Sequence, residues 1–96
     1  MKKSNEILLG DAISAFLKEN NLESRLNETR LVGAWEQVTG KLIARHTLQM
    51  NVRDKILYVK VDSAALREEL SFQKSKLIAK LNKAAGTEVI EDIKFN

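Results

Sequence analysis

Apolar positions step by three and four through the first forty residues, by two through the next twenty, and by three and four again before a last short alternation. Ile7, Leu9, Ala12, Ile13, Phe16 and Leu17 give residues 5–19 one buried side, so a first helix is predicted there, ended by Asn20 and Asn21. Leu31, Trp35, Val38 and Leu42 recur at steps of four, three and four, which puts the single tryptophan on the apolar stripe of a second helix. Asn27 reads as its N-cap, with Leu26 stapled onto Leu31, so this helix is predicted over residues 28–39. Gly40 stands where a left-handed residue would end it cheaply. Ile43 and Ala44 then carry the chain toward a strand that begins near His46 and Thr47.

From Thr47 the period becomes two. Leu48, Met50 and Val52 alternate with Gln49, Asn51 and Arg53, and after Asp54 and Lys55 the alternation resumes with Leu57, Val59 and Val61 against Tyr58, Lys60 and Asp62. This predicts a hairpin with one wet face. Ser63 can cap a further helix that aligns Leu66, Leu70, Leu77 and Leu81 and stops at Gly86 after Ala85. Phe72 falls on the wet side of that helix and Lys74 near the apolar one, which predicts a phase adjustment or an exposed aromatic at this point. A last strand places Val89, Ile93 and Phe95 inward and Asp92 and Lys94 outward.

The resulting order is ααββαβ, an α+β fold in which helices cover one face of a three-stranded mixed sheet. The other face, with Gln49, Asn51, Arg53, Tyr58, Lys60 and Lys94, is left to solvent or a partner. Ninety-six residues, 44% of them hydrophobic, suffice for one core, so residues 1–96 are expected to form a single domain.

Charge adds direction to this picture. The formal net charge is only +3, but residues 1–40 carry five Lys/Arg against six Asp/Glu, whereas residues 41–96 carry eleven against seven. Candidate phosphate contacts therefore lie in the second half: Lys41, Arg45, His46, Arg53, Lys55 and Lys60, and the strip Lys76, Lys80 and Lys83. Tyr58 among the sheet cations could stack a base while they hold phosphates. The strip reads first as a solvated helix face, and Trp35 reads as a core anchor before it reads as a base platform.

Catalysis finds little to work with. Cysteine is absent, and the lone histidine lies beside Thr47 with no acid near it in sequence, so neither a nucleophilic triad nor a metal site is predicted. Glu68 with Glu69 and Glu91 with Asp92 are sequence neighbours that point apart, and no phosphate-binding glycine loop occurs. The expectation is a non-enzymatic protein without cofactor. The N-terminus opens with two lysines, but Glu6 and Asp11 interrupt its apolar part, and no run reaches the roughly 18–20 residues of a membrane span, so a cytoplasmic location is expected.

Trp35, Val38, Gly40, Ile43, Ala44, His46 and Thr47, followed by the strand Leu57–Val61, the run Leu66–Leu70, the pair Leu81 and Asn82, and the closing Ile93 and Phe95, resemble a known bacterial family. It is the family, once catalogued as a domain of unknown function, that includes the replicative-helicase operator DciA. The resemblance covers nearly the whole chain. It implies a K-homology-like domain that binds DNA and engages a DnaB-type helicase at the replication fork. Two departures stand out. Larger members carry extensions, so this chain resembles the compact versions, and the Gly-x-x-Gly tetrad of true K-homology clamps is missing, since Gly33 and Gly40 stand seven apart.

Three roles are thus open. The first is a DNA-binding adaptor of a replicative helicase. An RNA-binding module of the K-homology type is the second, and a protein-interaction domain without nucleic-acid affinity is the third.

Overall fold

The structure, a computed structural model, describes residues 12, 13, 15 and 22–96. The helix expected over residues 5–19 lies outside these, apart from Ala12, Ile13 and Ala15, which are helical. From Leu22 onward the order is α1 (Leu22–Gly33), α2 (Trp35–Thr39), α3 (Lys41–Arg45), β1 (Thr47–Arg53), β2 (Ile56–Val61), α4 (Ala64–Ser71), α5 (Lys74–Ala85) and β3 (Asp92–Phe95).

Helix α1 starts six residues before the expected Glu28, and Asn27 lies inside it instead of capping it. No glycine or proline interrupts residues 22–32, and Glu23 in the first turn and Arg30 in the last suit the helix dipole, so an interior asparagine is tolerated. Ala34 barely separates α1 from α2, because its amide still reaches the Arg30 and Leu31 carbonyls at 3.1 Å.

Gly40 also departs from expectation. Its φ of 95° is positive, but ψ of 167° takes it out of the left-handed helical region into a conformation essentially reserved for glycine. Its amide closes α2 on the Glu36 carbonyl at 2.7 Å, and its carbonyl accepts from Ala44 at 3.1 Å to open α3. The expected passage from Ile43 and Ala44 into a strand is therefore a short helix. The stop and restart reset the phase, so Leu42 leaves the Trp35 stripe and is 60% exposed, while Ile43 packs on the core.

β1 and β2 pair antiparallel around Asp54 and Lys55, whose φ values of 53° and 62° are those of a two-residue type I′ turn. Met50 faces Val59 and Val52 faces Leu57. A register shift between Thr47 and Gln49 takes Leu48 out of the alternation and leaves it 58% exposed, contrary to its expected inward position. β3 joins the other side of β2 in parallel, Leu57 opposite Ile93 and Tyr58 opposite Lys94, giving the order β1-β2-β3.

Ser63 caps α4 as expected, its hydroxyl accepting from the Leu66 amide. The predicted phase adjustment is a break: α4 ends at Ser71, α5 starts at Lys74, and Phe72 between them is 81% exposed. Leu70 before the break and Leu77 after it pack into the same core. Gly86, at φ 83° and ψ 3°, ends α5 in the left-handed conformation. Asn82 then ties the return segment to the helix. Its Oδ1 accepts from the Val89 and Ile90 amides at 2.9 and 3.1 Å, and its Nδ2 donates to the Ile90 carbonyl at 2.9 Å.

Leu31, Ala34 and Trp35 from the first helices, Leu57, Val59, Val61 and Ile93 from the sheet, and Leu70, Leu77, Leu81, Ala85 and Ile90 make one buried cluster. Ile90, fully buried, was invisible to the alternation because it precedes the strand proper. Trp35 is 3% exposed, lies 6.5 Å from the Phe95 ring, and donates from Nε1 to Thr47 Oγ1 at 3.0 Å, while the Thr47 hydroxyl donates to the Ile43 carbonyl at 2.7 Å. The indole is a core anchor whose polar edge is satisfied.

Candidate nucleic-acid interface

All helices that share the buried cluster lie on the face of the sheet bearing Leu57, Val59 and Ile93. Strand alternation sends Gln49, Asn51 and Arg53 of β1, Tyr58 and Lys60 of β2, and Lys94 of β3 to the opposite face. Register brings them together: Gln49 faces Lys60, Asn51 faces Tyr58, and Tyr58 faces Lys94. Arg53 lies diagonal to Tyr58, and its guanidinium carbon sits 5.0 Å from the ring centroid, a cation–π contact.

Among the described residues two carboxylates adjoin this face, and both are engaged. Asp62, just after β2, accepts from His46 Nδ1 at 2.7 Å, and its amide donates to the His46 carbonyl at 3.0 Å. Asp92, at the start of β3, accepts from the Ile93 amide at 2.8 Å and lies 3.9 Å from Lys74 Nζ. Arg53, Lys60 and Lys94 form no ion pair with any described residue. The centre of the face is thus cationic, with its acids held at the rim.

The remaining candidates lie elsewhere. Lys55 stands on the hairpin turn, 3.7 Å from Glu91, in a pair more than 60% exposed on both sides and so of little energetic weight. Lys41 and Arg45, four apart on α3, are both exposed. Lys76, Lys80 and Lys83 are exposed on α5, turned away from Leu77, Leu81 and Ala85. Since those three apolar residues share a core with Leu57 and Ile93, the lysine strip and the open sheet face look in opposite directions. One flat ligand cannot touch both. His46 is tied to an acid rather than free for a phosphate, and only its Nε2 remains without a partner among the described residues.

The Asp62 partnership was missed because it depends on the β1 register shift: an unbroken ladder would set His46 opposite Ser63. Asn96 was also missed. It extends the ladder beyond β3, its amide donating to the Val59 carbonyl at 2.8 Å and its carbonyl accepting from Val61 at 2.9 Å. Gln49, Asn51, Tyr58, Lys60 and Asn96 line a shallow open depression.

No group of three metal-ligating side chains converges among the described residues, and no described helix is long and apolar enough to cross a membrane.

Comparison with known proteins places this architecture. The profile of the family described as Dna[CI] antecedent, DciA, matches residues 8–95. A UPF0232 protein of Rhodococcus jostii is 31% identical over 86 residues, covering 90% of this chain and 46% of its own length. UPF0232 proteins of Mycobacterium bovis and Mycobacterium tuberculosis are each 30% identical over 87 residues, covering 91% of this chain and 46% of their own length. The chain therefore spans about half the length of these relatives. With a profile match over nearly all its residues, the chain belongs to the DciA family.

Proposed function

We propose that this protein is a non-enzymatic adaptor that binds nucleic acid, DNA foremost, through the open face of its sheet and works in the cytoplasm beside a DnaB-type replicative helicase. The observation that carries the DNA contact is the distribution of charge on that face. Arg53, Lys60 and Lys94 have no acidic partner among the described residues, while Asp62 and Asp92 are held by His46 and Lys74. Cations without an acidic partner on a face that no described helix covers attract phosphates and release their counterions. Lys55 on the adjoining turn and, at greater distance, Lys41 and Arg45 extend the field, whereas Lys76, Lys80 and Lys83 would meet a different segment of a long nucleic acid.

The helicase association rests on family membership rather than on any surface feature. With a formal charge of +3, the isolated domain is expected to bind DNA weakly, and tethering to a partner already on DNA would raise its effective concentration.

The test is fluorescence anisotropy with a labelled oligonucleotide across a salt series. Binding should weaken steeply with salt, and the double variant Arg53→Glu, Lys60→Glu should bind at least ten-fold more weakly, with a salt slope lower by about two. Affinity indifferent to salt and to both reversals would reject the sheet face. For the partner, size-exclusion chromatography of the purified protein with the purified replicative helicase of the same organism, after nuclease treatment, should give a common peak. Separate elution at micromolar concentrations would reject a direct contact.

A further inference from the structure

The geometry points to a site for one unpaired nucleobase in the depression lined by Gln49, Asn51, Tyr58, Lys60 and Asn96. This inference rests on the nucleic-acid reading above and narrows it: the sheet face takes single strands, and a base enters the face beside the phosphates.

Tyr58 supplies the platform. The Arg53 guanidinium carbon lies 5.0 Å from its ring centroid, and the same ring lines the depression. A half-buried tyrosine held by a cation is an orientated ring, and one that lines a polar hollow offers a stacking surface to a planar group. The guanidinium beside the ring also counters the negative charge that a strand brings with the base.

The walls supply the edge contacts. Gln49 and Asn51 alternate with core-facing Met50 on β1, so both amides stand on the open face, on the strand next to Tyr58 and Lys60. Carboxamides present a donor and an acceptor side by side, the pattern that base edges offer in return. Asn96 adds a third carboxamide from the far side of β2. Neither Gln49 nor Asn51 makes a side-chain hydrogen bond with a described residue, so their polar groups are free to face a ligand. Lys60 can then hold the phosphate attached to the same nucleotide.

A stacked duplex offers no ring face to such a platform, because its bases are covered above and below. The site therefore selects unpaired nucleotides, in contrast with the phosphate contacts of Arg53 and Lys60, which any nucleic acid can make.

The experiment measures the affinity of the full chain for three labelled probes of matched phosphate number: a 12-nucleotide single strand, a strand of abasic sites, and a short duplex. The single strand is expected to bind about ten-fold more tightly than the abasic strand, and Tyr58→Leu is expected to erase that difference while leaving abasic binding unchanged. Because Tyr58 is half-buried, the double variant Gln49→Ala, Asn51→Ala at exposed positions serves as an independent check and should lose several-fold on the base-bearing strand only. Equal affinity for the single and abasic strands, with the Arg53→Glu, Lys60→Glu variant still impaired on both, would overturn the base site and leave the phosphate reading intact. Absence of binding to all three probes at low salt would overturn both.

Discussion

Replacing Asn82 by alanine removes a side chain that touches no candidate ligand and yet should cost more stability than any surface change in the molecule. Its carboxamide accepts from the Val89 and Ile90 amides and donates to the Ile90 carbonyl, at 2.9, 3.1 and 2.9 Å. Each hydrogen bond is worth about 0.5–1.5 kcal/mol net, and more where removal strands a backbone group away from water. Ile90 is completely buried, so water cannot readily replace the lost partners without lifting its side chain from the core. Three such bonds give an expected loss of about 3 kcal/mol for Asn82→Ala. Asn82→Asp keeps an acceptor for both amides but sets a carboxylate against the Ile90 carbonyl, and should lose about half as much. Urea unfolding read through the fluorescence of Trp35, the single tryptophan and 3% exposed, reports the difference directly. A loss below about 1 kcal/mol for Asn82→Ala would refute the reasoning, since the return segment would then be held by Ile90 packing alone.

Gly40→Ala should destabilise by about 1–3 kcal/mol, because φ 95° with ψ 167° is a region closed to residues with a Cβ, even though no neighbouring atom lies within 4 Å of the added carbon; thermal denaturation measures this. Lys55→Gly should act in the opposite direction, raising stability by about 0.5–1 kcal/mol in urea titrations, since Lys55 sits at φ 62° in a turn that favours glycine and its exposed pairing with Glu91 is worth little. Thr47→Val should cost about 1–3 kcal/mol and shift the Trp35 emission, because the indole Nε1–H loses its 3.0 Å acceptor; an unchanged spectrum and midpoint would show that the bond carries no weight.

Most of the fold was legible where period and burial agree. The alternation around Asp54 and Lys55 located the hairpin, and Leu70, Leu77, Leu81 and Gly86 located the helical layer and its end. Phe72 announced the α4–α5 break because an aromatic on a wet face contradicts a single helical phase. The misplacements share one cause, a local backbone event that shifts phase without changing composition. Gly40 ends one helix as expected but at once starts another, so Leu42 turns outward, and the β1 register shift exposes Leu48 and sets His46 against Asp62. Asn27 misled for a related reason, as its capping preference was outweighed by the uninterrupted helix around it. For the site, alternation alone identified the residues of the open face. Their neutralised rim and the packing of Arg53 on Tyr58 needed three dimensions.

The parallel attachment of β3 has a kinetic consequence. Hairpin pairing begins across a two-residue turn, whereas setting Leu57 beside Ile93 closes a loop of thirty-six positions, at an entropic cost on the order of 3 kcal/mol before any contact repays it. The hairpin can therefore form early and wait, and β3 is placed to join late in folding and to leave early in unfolding. Substitutions at Ile93 should accordingly speed unfolding more than they slow folding, so that the lifetime of the native state, rather than the rate of reaching it, is set at the C-terminal edge of the sheet.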